Sequence, residues 1–127
     1  MKQNRLVRST LPLTQIDQLA ACCSPVTGGV VRDEAAETLA QMFRALGDPT
    51  RVKLLSMIAT APDGEACICD MTDPVGLTQP TVSHHMKVLV EAGLATREQR
   101  GKWAYYRVEP NVLRALSNAL APSEDIV

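Results

Sequence analysis

The residues best equipped for chemistry are four cysteines in two close pairs, Cys22-Cys23 and Cys67-Ile68-Cys69. Thiolates are soft donors and select soft ions over magnesium, calcium or manganese. Four of them can enclose zinc or cadmium in a tetrahedron. Neither pair has the Cys-x-x-Cys spacing of a dithiol oxidoreductase, and no basic residue stands beside any of the four to activate it as a redox thiol. In a regular helix Cys67 and Cys69 would point about 200° apart, so a shared ion requires an unwound or distorted turn. The adjacent His84 and His85 diverge by about 100° on a helix, which makes them poor joint ligands. No Ser/His/acid grouping and no glycine-rich phosphate loop is present, so an enzyme is not expected.

These groups must be positioned by a small chain. Its 127 residues suit one domain, and 46% hydrophobic with 21% charged residues is the balance of a globular protein with a core. Aromatics make up only 3%, so Leu, Val, Ile, Ala and Met must fill that core, which favours packed helices over a sandwich. No apolar run approaches the roughly 18 residues of a membrane span, and the first residues lack the apolar stretch of a secretory signal. The expected location is the cytoplasm, where thiols stay reduced and a disulfide framework is not expected. Net charge is −1, yet residues 78–107 hold five basic side chains (Lys87, Arg97, Arg100, Lys102, Arg107) against Glu91 and Glu98. Charge placement, not the total, decides phosphate binding.

Residues 1–31 read as an N-terminal extension carrying Cys22-Cys23, broken by Pro12, Pro25 and Gly28-Gly29, with a short amphipathic helix through Leu13, Ile16, Leu19 and Ala20. Residues 32–121 form the domain and 122–127 a tail. Asp33 is the expected N-cap of a first helix with Ala36, Leu39, Ala40, Phe43 and Leu46 inward and Gly47 at its end. Asp48-Pro49 opens a second helix with a stripe of Val52, Leu54, Leu55 and Ile58. A short helix is expected from about Ala66 to Asp73, then a turn through Gly76. A longer helix follows, capped by Thr78 and ending at Gly93, with Val82, Met86 and Leu89 inward, His85 at the edge, and Pro80, Ser83, His84 and Lys87 outward. Two helices joined by a glycine turn, the second basic outside, form a helix-turn-helix pattern. Strands at Leu94–Glu98 and Trp103–Val108, with a basic tip at residues 99–102, make it a mainly α winged helix with a small β-hairpin. Pro110 opens a last helix whose Val112, Leu113, Leu116, Ala119 and Leu120 stripe suits a homodimer seam shared with Ile16 and Leu19.

Ala45-Leu46-Gly47-Asp48-Pro49-Thr50-Arg51 and Leu77-Thr78-Gln79-Pro80-Thr81-Val82-Ser83-His84-His85-Met86-Lys87 closely resemble the ArsR/SmtB family of metal-sensing bacterial repressors, over roughly residues 34–120. The resemblance implies a dimeric winged helix that leaves its operator when a metal or metalloid binds. It also implies that the helix from Thr78 enters the major groove. Gln79, Thr81, Ser83 and His84 then lie near base edges and phosphates, while Lys87, Arg100 and Lys102 are expected at phosphates of an inverted-repeat operator.

Glu65-Ala66-Cys67-Ile68-Cys69-Asp70-Met71 resembles the cysteine-bearing segment of the family's arsenite and antimonite sensors. Where some of those have a third cysteine, this chain has Thr72, so the resemblance assigns the remaining thiolates to Cys22 and Cys23. As(III) or Sb(III) favours a pyramid of three thiolates, expected here from Cys22 and Cys23 with Cys67 or Cys69 as the third. The family's zinc site on the last helix is not expected, because no histidine follows His85. The competing readings are a repressor responding to thiol oxidation or to a divalent soft metal (Cd, Zn or Pb), and a metal buffer that does not bind DNA.

Overall fold

The computed structural model describes residues 26–122, so Ile16, Leu19, Cys22 and Cys23 lie outside the described residues. Five α-helices and three strands follow the order α1 (Asp33–Leu46), α2 (Pro49–Thr60), β1 (Glu65–Cys67), α3 (Thr72–Val75), α4 (Gln79–Glu91), β2 (Ala95–Arg100), β3 (Trp103–Val108) and α5 (Pro110–Leu120). Short 3-10 turns precede β1, at Pro62–Gly64, and α3, at Ile68–Asp70.

Local chemistry explains most of the boundaries. Asp48 caps α2 by accepting from the N–H groups of Thr50 (2.8 Å) and Arg51 (3.2 Å), with Pro49 in the first turn. Burial, the largest influence on its carboxyl, raises its pKa. The Arg51 and Thr50 N–H bonds, with the charges of Arg51 and His85, outweigh this and hold it below its usual 3.8. Further along the chain, Gly76 adopts φ 69° and its N–H closes α3 onto the Thr72 and Asp73 carbonyls, as the sharp turn into α4 requires. Thr78 stands at the N-cap position of α4, but its hydroxyl meets that of Thr81 at 3.0 Å instead of a backbone N–H. For α1 the cap position is Arg32, and Asp33 is the first helical residue.

The main departure from expectation is at residues 66–73, where one helix was expected. Cys67 is extended (φ −78°, ψ 144°) and pairs with Tyr105, making β1 the outer strand of an antiparallel sheet in the order β1-β3-β2. Only Thr72–Val75 is α-helical. Strand pairing and the Cys69 N–H donating to Cys67 Sγ (3.2 Å) satisfy backbone groups that a continuous helix would have used. β2 and β3 pair from Ala95↔Val108 to Arg100↔Trp103, so the tip is only Gly101-Lys102, with Gly101 at φ 63°.

The core is aliphatic and Met-rich: Met42, Leu54, Ile58, Met71, Val82, Met86, Leu89, Leu94 and Val112 are fully enclosed, and Tyr106 is its one buried aromatic among the described residues. On α1 the buried face is Thr38, Leu39, Met42 and Ala45, while Ala36 and Ala40 are exposed. On α2, Val52 is exposed, unlike Leu54 and Ile58. The α5 stripe turns largely inward within the same protomer, including Leu116. Leu113 is half-buried and Leu120 remains 57% exposed.

Candidate nucleic-acid interface and thiol site

Helix α4 is set against the body by its apolar side, Val82, Met86 and Leu89, all inaccessible to solvent. The opposite side therefore projects outward: Gln79, Pro80, Thr81, His84 and Lys87 are exposed and Ser83 is half-buried. His85 lies between the two sides. Its Nδ1 meets Arg51 Nη1 at 3.1 Å, and the same guanidinium donates from Nε to Ala45 O at 2.6 Å and from Nη2 to Arg44 O at 3.4 Å. Arg51 thus joins the end of α1, the start of α2 and the middle of α4, fixing the orientation of the outward face. In the sequence Arg51 is visible only as part of the Ala45–Arg51 motif, and its role as a staple comes from the three-dimensional contact. Lys87 Nζ stands 4.0 Å from Glu91 Oε2 with both groups solvated, an arrangement that leaves the ammonium available.

The wing differs from the simple basic hairpin expected. Lys102 is exposed at the tip, next to Trp103, which is 39% exposed. Arg100 is held by carboxylates: Nη1 and Nη2 pair with Glu65, Nε and Nη2 with Glu98, and the guanidinium carbon lies 4.4 Å from the centre of the Tyr105 ring. Arg107 joins the cluster, with Nη2 2.9 Å from Glu65 Oε1 and Nη1 donating to Asp63 O at 3.1 Å. Hydrogen bonding from Arg100 is the largest influence on Glu65, and with the charges of both arginines it outweighs burial and holds the carboxyl below its usual 4.5. Glu65 and Tyr105 had no sequence-level sign of this role, because β1 was not recognised as a strand.

Cys67 is buried and Cys69 exposed, immediately before the helix-turn-helix. The structure joins them in a disulfide, with Cα atoms 5.1 Å apart, where reduced thiols had been expected. The extended residue followed by a 3-10 turn brings together two side chains that a regular helix would separate. Among the described residues no group of three or more His, Cys, Asp or Glu side chains is arranged to hold a metal ion. Any third thiolate must come from outside residues 26–122.

A compact helical body, a helix-turn-helix with a solvent-facing second helix and a three-stranded wing define a winged helix DNA-binding regulator. Residues 48–97 match the model of the bacterial regulatory protein arsR family. The chain is 43% identical over 91 residues to ArsR2 of Halobacterium salinarum, a protein named for the arsenical resistance operon, covering 72% of this chain and 74% of the relative. It is therefore a member of the arsR family of transcriptional regulators. The AntR antimony-specific transcriptional repressor is 27% identical, with a TM-score of 0.58 over 72% of this chain and 82% of that one. A homodimeric winged helix-turn-helix DNA-binding domain from Mycobacterium bovis, at 24% identity, confirms the fold with a TM-score of 0.58 over 71% of this chain and 83% of its own. No helix among the described residues is long and apolar enough to cross a membrane.

Proposed function

We propose that this repressor binds an inverted-repeat operator as a homodimer and releases it when trivalent arsenic or antimony is captured by cysteine thiolates. The observation that carries the reading is the convergence of Cys67 and Cys69 at the segment leading into the helix-turn-helix. In the dithiol form the same backbone offers two sulfurs to one thiophilic centre. The expected set was Cys22 and Cys23 with one of Cys67 and Cys69; the convergence of the latter two favours both of them with Cys22 or Cys23 as the third, so that As(OH)3 and three thiols give a trithiolate and three waters. The names of the relatives, an arsenical resistance protein and an antimony-specific repressor, support the same inducer class.

Gln79, Thr81, Ser83 and His84 form the base-reading part of the surface and Lys87 and Lys102 contact phosphates. Ile16, Leu19, Leu113, Leu116 and Leu120 were the expected dimer seam. Because Leu116 is committed to its own core, Leu113 and Leu120 are the residues of α5 assigned to it. Inducer can displace the operator only through unequal affinity for the bound and released conformations. Binding of an ion by β1 and by the N-terminal extension at once would tie a segment outside the winged body to the entrance of the reading unit.

The test is operator binding by fluorescence anisotropy, under reducing conditions, with Cys22, Cys23, Cys67 and Cys69 replaced by serine singly and together. Variants lacking a required thiolate should bind operator as the wild type does and fail to release it on addition of arsenite. Release of the quadruple variant at the wild-type arsenite concentration would overturn the reading. A second reading, repression relieved by thiol oxidation, is favoured by the Cys67–Cys69 bridge itself. It predicts release by peroxide, reversed by dithiothreitol, without any metalloid.

A further inference from the structure

Arg100, at the tip end of β2, and Arg107 on β3 are basic residues of the wing sheet whose guanidinium groups are engaged by carboxylates. Glu65 on β1 lies opposite Arg107 on β3, Cys67 lies opposite Tyr105, and Glu98 on β2 lies opposite the same tyrosine. Directly opposed residues share a face of a sheet, as do residues two apart along a strand. One face therefore carries Glu65 and Cys67 from β1, Arg107, Tyr105 and Trp103 from β3, and Glu98 and Arg100 from β2. Across it Glu65, whose side chain is only 17% exposed, bridges both arginines, whereas Glu98 at 62% exposure pairs with Arg100 alone. Two guanidinium charges thus meet two carboxylate charges, with Arg100 additionally packed over Tyr105.

We propose that Glu65 is a positioning residue that latches the wing: it withholds Arg100 from DNA phosphate and links the wing to the strand that carries Cys67. The geometry supports both halves. Arg100 spends four of its five N–H groups on Glu65 and Glu98, and its Nη1–Nη2 edge is held by Glu65, so a forked phosphate contact through that edge requires it to leave Glu65. Glu65 and Cys67 occupy the two ends of one three-residue strand. A change of β1 direction at the cysteines carries the Glu65 carboxylate with it, and through its ion pairs to Arg100 on β2 and Arg107 on β3 it turns the wing away from its DNA-competent orientation. The link to the thiols rests on the inducer reading above; the latch itself does not.

The variant Glu65→Gln keeps the shape and a hydrogen-bonding oxygen but removes the charge. In the full chain it should bind operator about 3- to 10-fold more tightly, and the plot of log K against log salt should steepen by about 0.9, the value of one added phosphate contact. Adding Arg100→Gln to this variant should return the slope to that of the wild type. Arg100→Gln alone should leave the slope unchanged, because a latched guanidinium neutralises no phosphate; this second variant decides the question if Glu65→Gln does not fold. A wild-type slope in Glu65→Gln, or a slope about 0.9 shallower in Arg100→Gln, would overturn the latch. Arsenite should reduce operator affinity in Glu65→Gln by less than a third of its factor in the wild type, with the arsenic–thiolate absorbance titrating equally in both. An undiminished response in a variant with the steeper slope would overturn the link to β1. Failure of the wild type to respond to arsenite would refute the inducer reading, and the salt slopes would still judge the latch.

Discussion

Replacing Arg51 by alanine should loosen α4 from the body, because its guanidinium makes a polar connection between α4 and the α1–α2 corner. Two of its bonds have good geometry, Nε to Ala45 O at 2.6 Å and Nη1 to His85 Nδ1 at 3.1 Å, while Nη2 to Arg44 O at 3.4 Å is weak. Bonds from a charged donor contribute about 1.5–3 kcal/mol each when well enclosed. Arg51 is only half-buried, so about 2–3 kcal/mol for the two together is the reasonable scale. Urea unfolding at fixed protomer concentration measures the loss, concentration being held because subunit association adds to apparent stability. A double-mutant cycle with His85→Ala should give a coupling of about 1 kcal/mol, and Arg51→Lys should recover less than half, since an ammonium cannot span the forked contacts. Operator affinity should fall in Arg51→Ala even at temperatures where the variant is fully folded. A total loss under about 0.5 kcal/mol, with coupling to His85 within an error of about 0.3 kcal/mol, would refute the staple.

Three further outcomes follow from the same contacts. Met86→Ala, at a fully enclosed site on the inner face of α4, should cost about 2–5 kcal/mol, and Met86→Leu under about 1.5 kcal/mol, both read by urea midpoint. Lys87→Ala should weaken binding equally at operator and unrelated DNA and make the salt slope shallower by about 0.9, with little change in unfolding midpoint because its Glu91 pair is solvated. Asp48 and Glu65 are both depressed in the folded chain, so their stabilisation is present in full above their ordinary values of 3.8 and 4.5 and is lost as pH falls through the lower folded values. Urea midpoints should therefore decline below about pH 4.5, and the Glu65→Gln curve should converge with the wild type at the acid end.

How far the sequence revealed the fold follows from which interactions were local. The cap at Asp48, the break at Gly76 and the hairpin turn at Gly101 each follow from one residue's conformational or hydrogen-bonding preference, and each was found at its expected place. So was the division of α4 into an enclosed Val82-Met86-Leu89 side and an outward Gln79-Thr81-His84-Lys87 side, because periodicity is written along a single helix. Periodicity alone set the α1 stripe one residue out of phase at Ala36 and Ala40. Alanine can serve either side, whereas Met42 and Thr38 were placed by packing against the rest of the body.

The site was less legible where it depended on pairing between distant segments. Three residues, Glu65–Cys67, are too few to display an alternating pattern, and the hydrogen bonds that make them a strand come from β3, about forty residues later. That pairing decides two things at once. It draws Cys67 out of a helical course so that its sulfur reaches that of Cys69, and it places the Glu65 carboxylate between Arg100 and Arg107. The basic wing inferred from composition keeps Lys102 exposed but pairs Arg100 and Arg107 with Glu65, which a count along the chain cannot see because the carboxylate arrives from another strand. Cys67 and the carboxylate that pairs with Arg100 and Arg107 are therefore carried by one strand, and under the latch proposed above a structural change in β1 is a change in how the wing meets DNA.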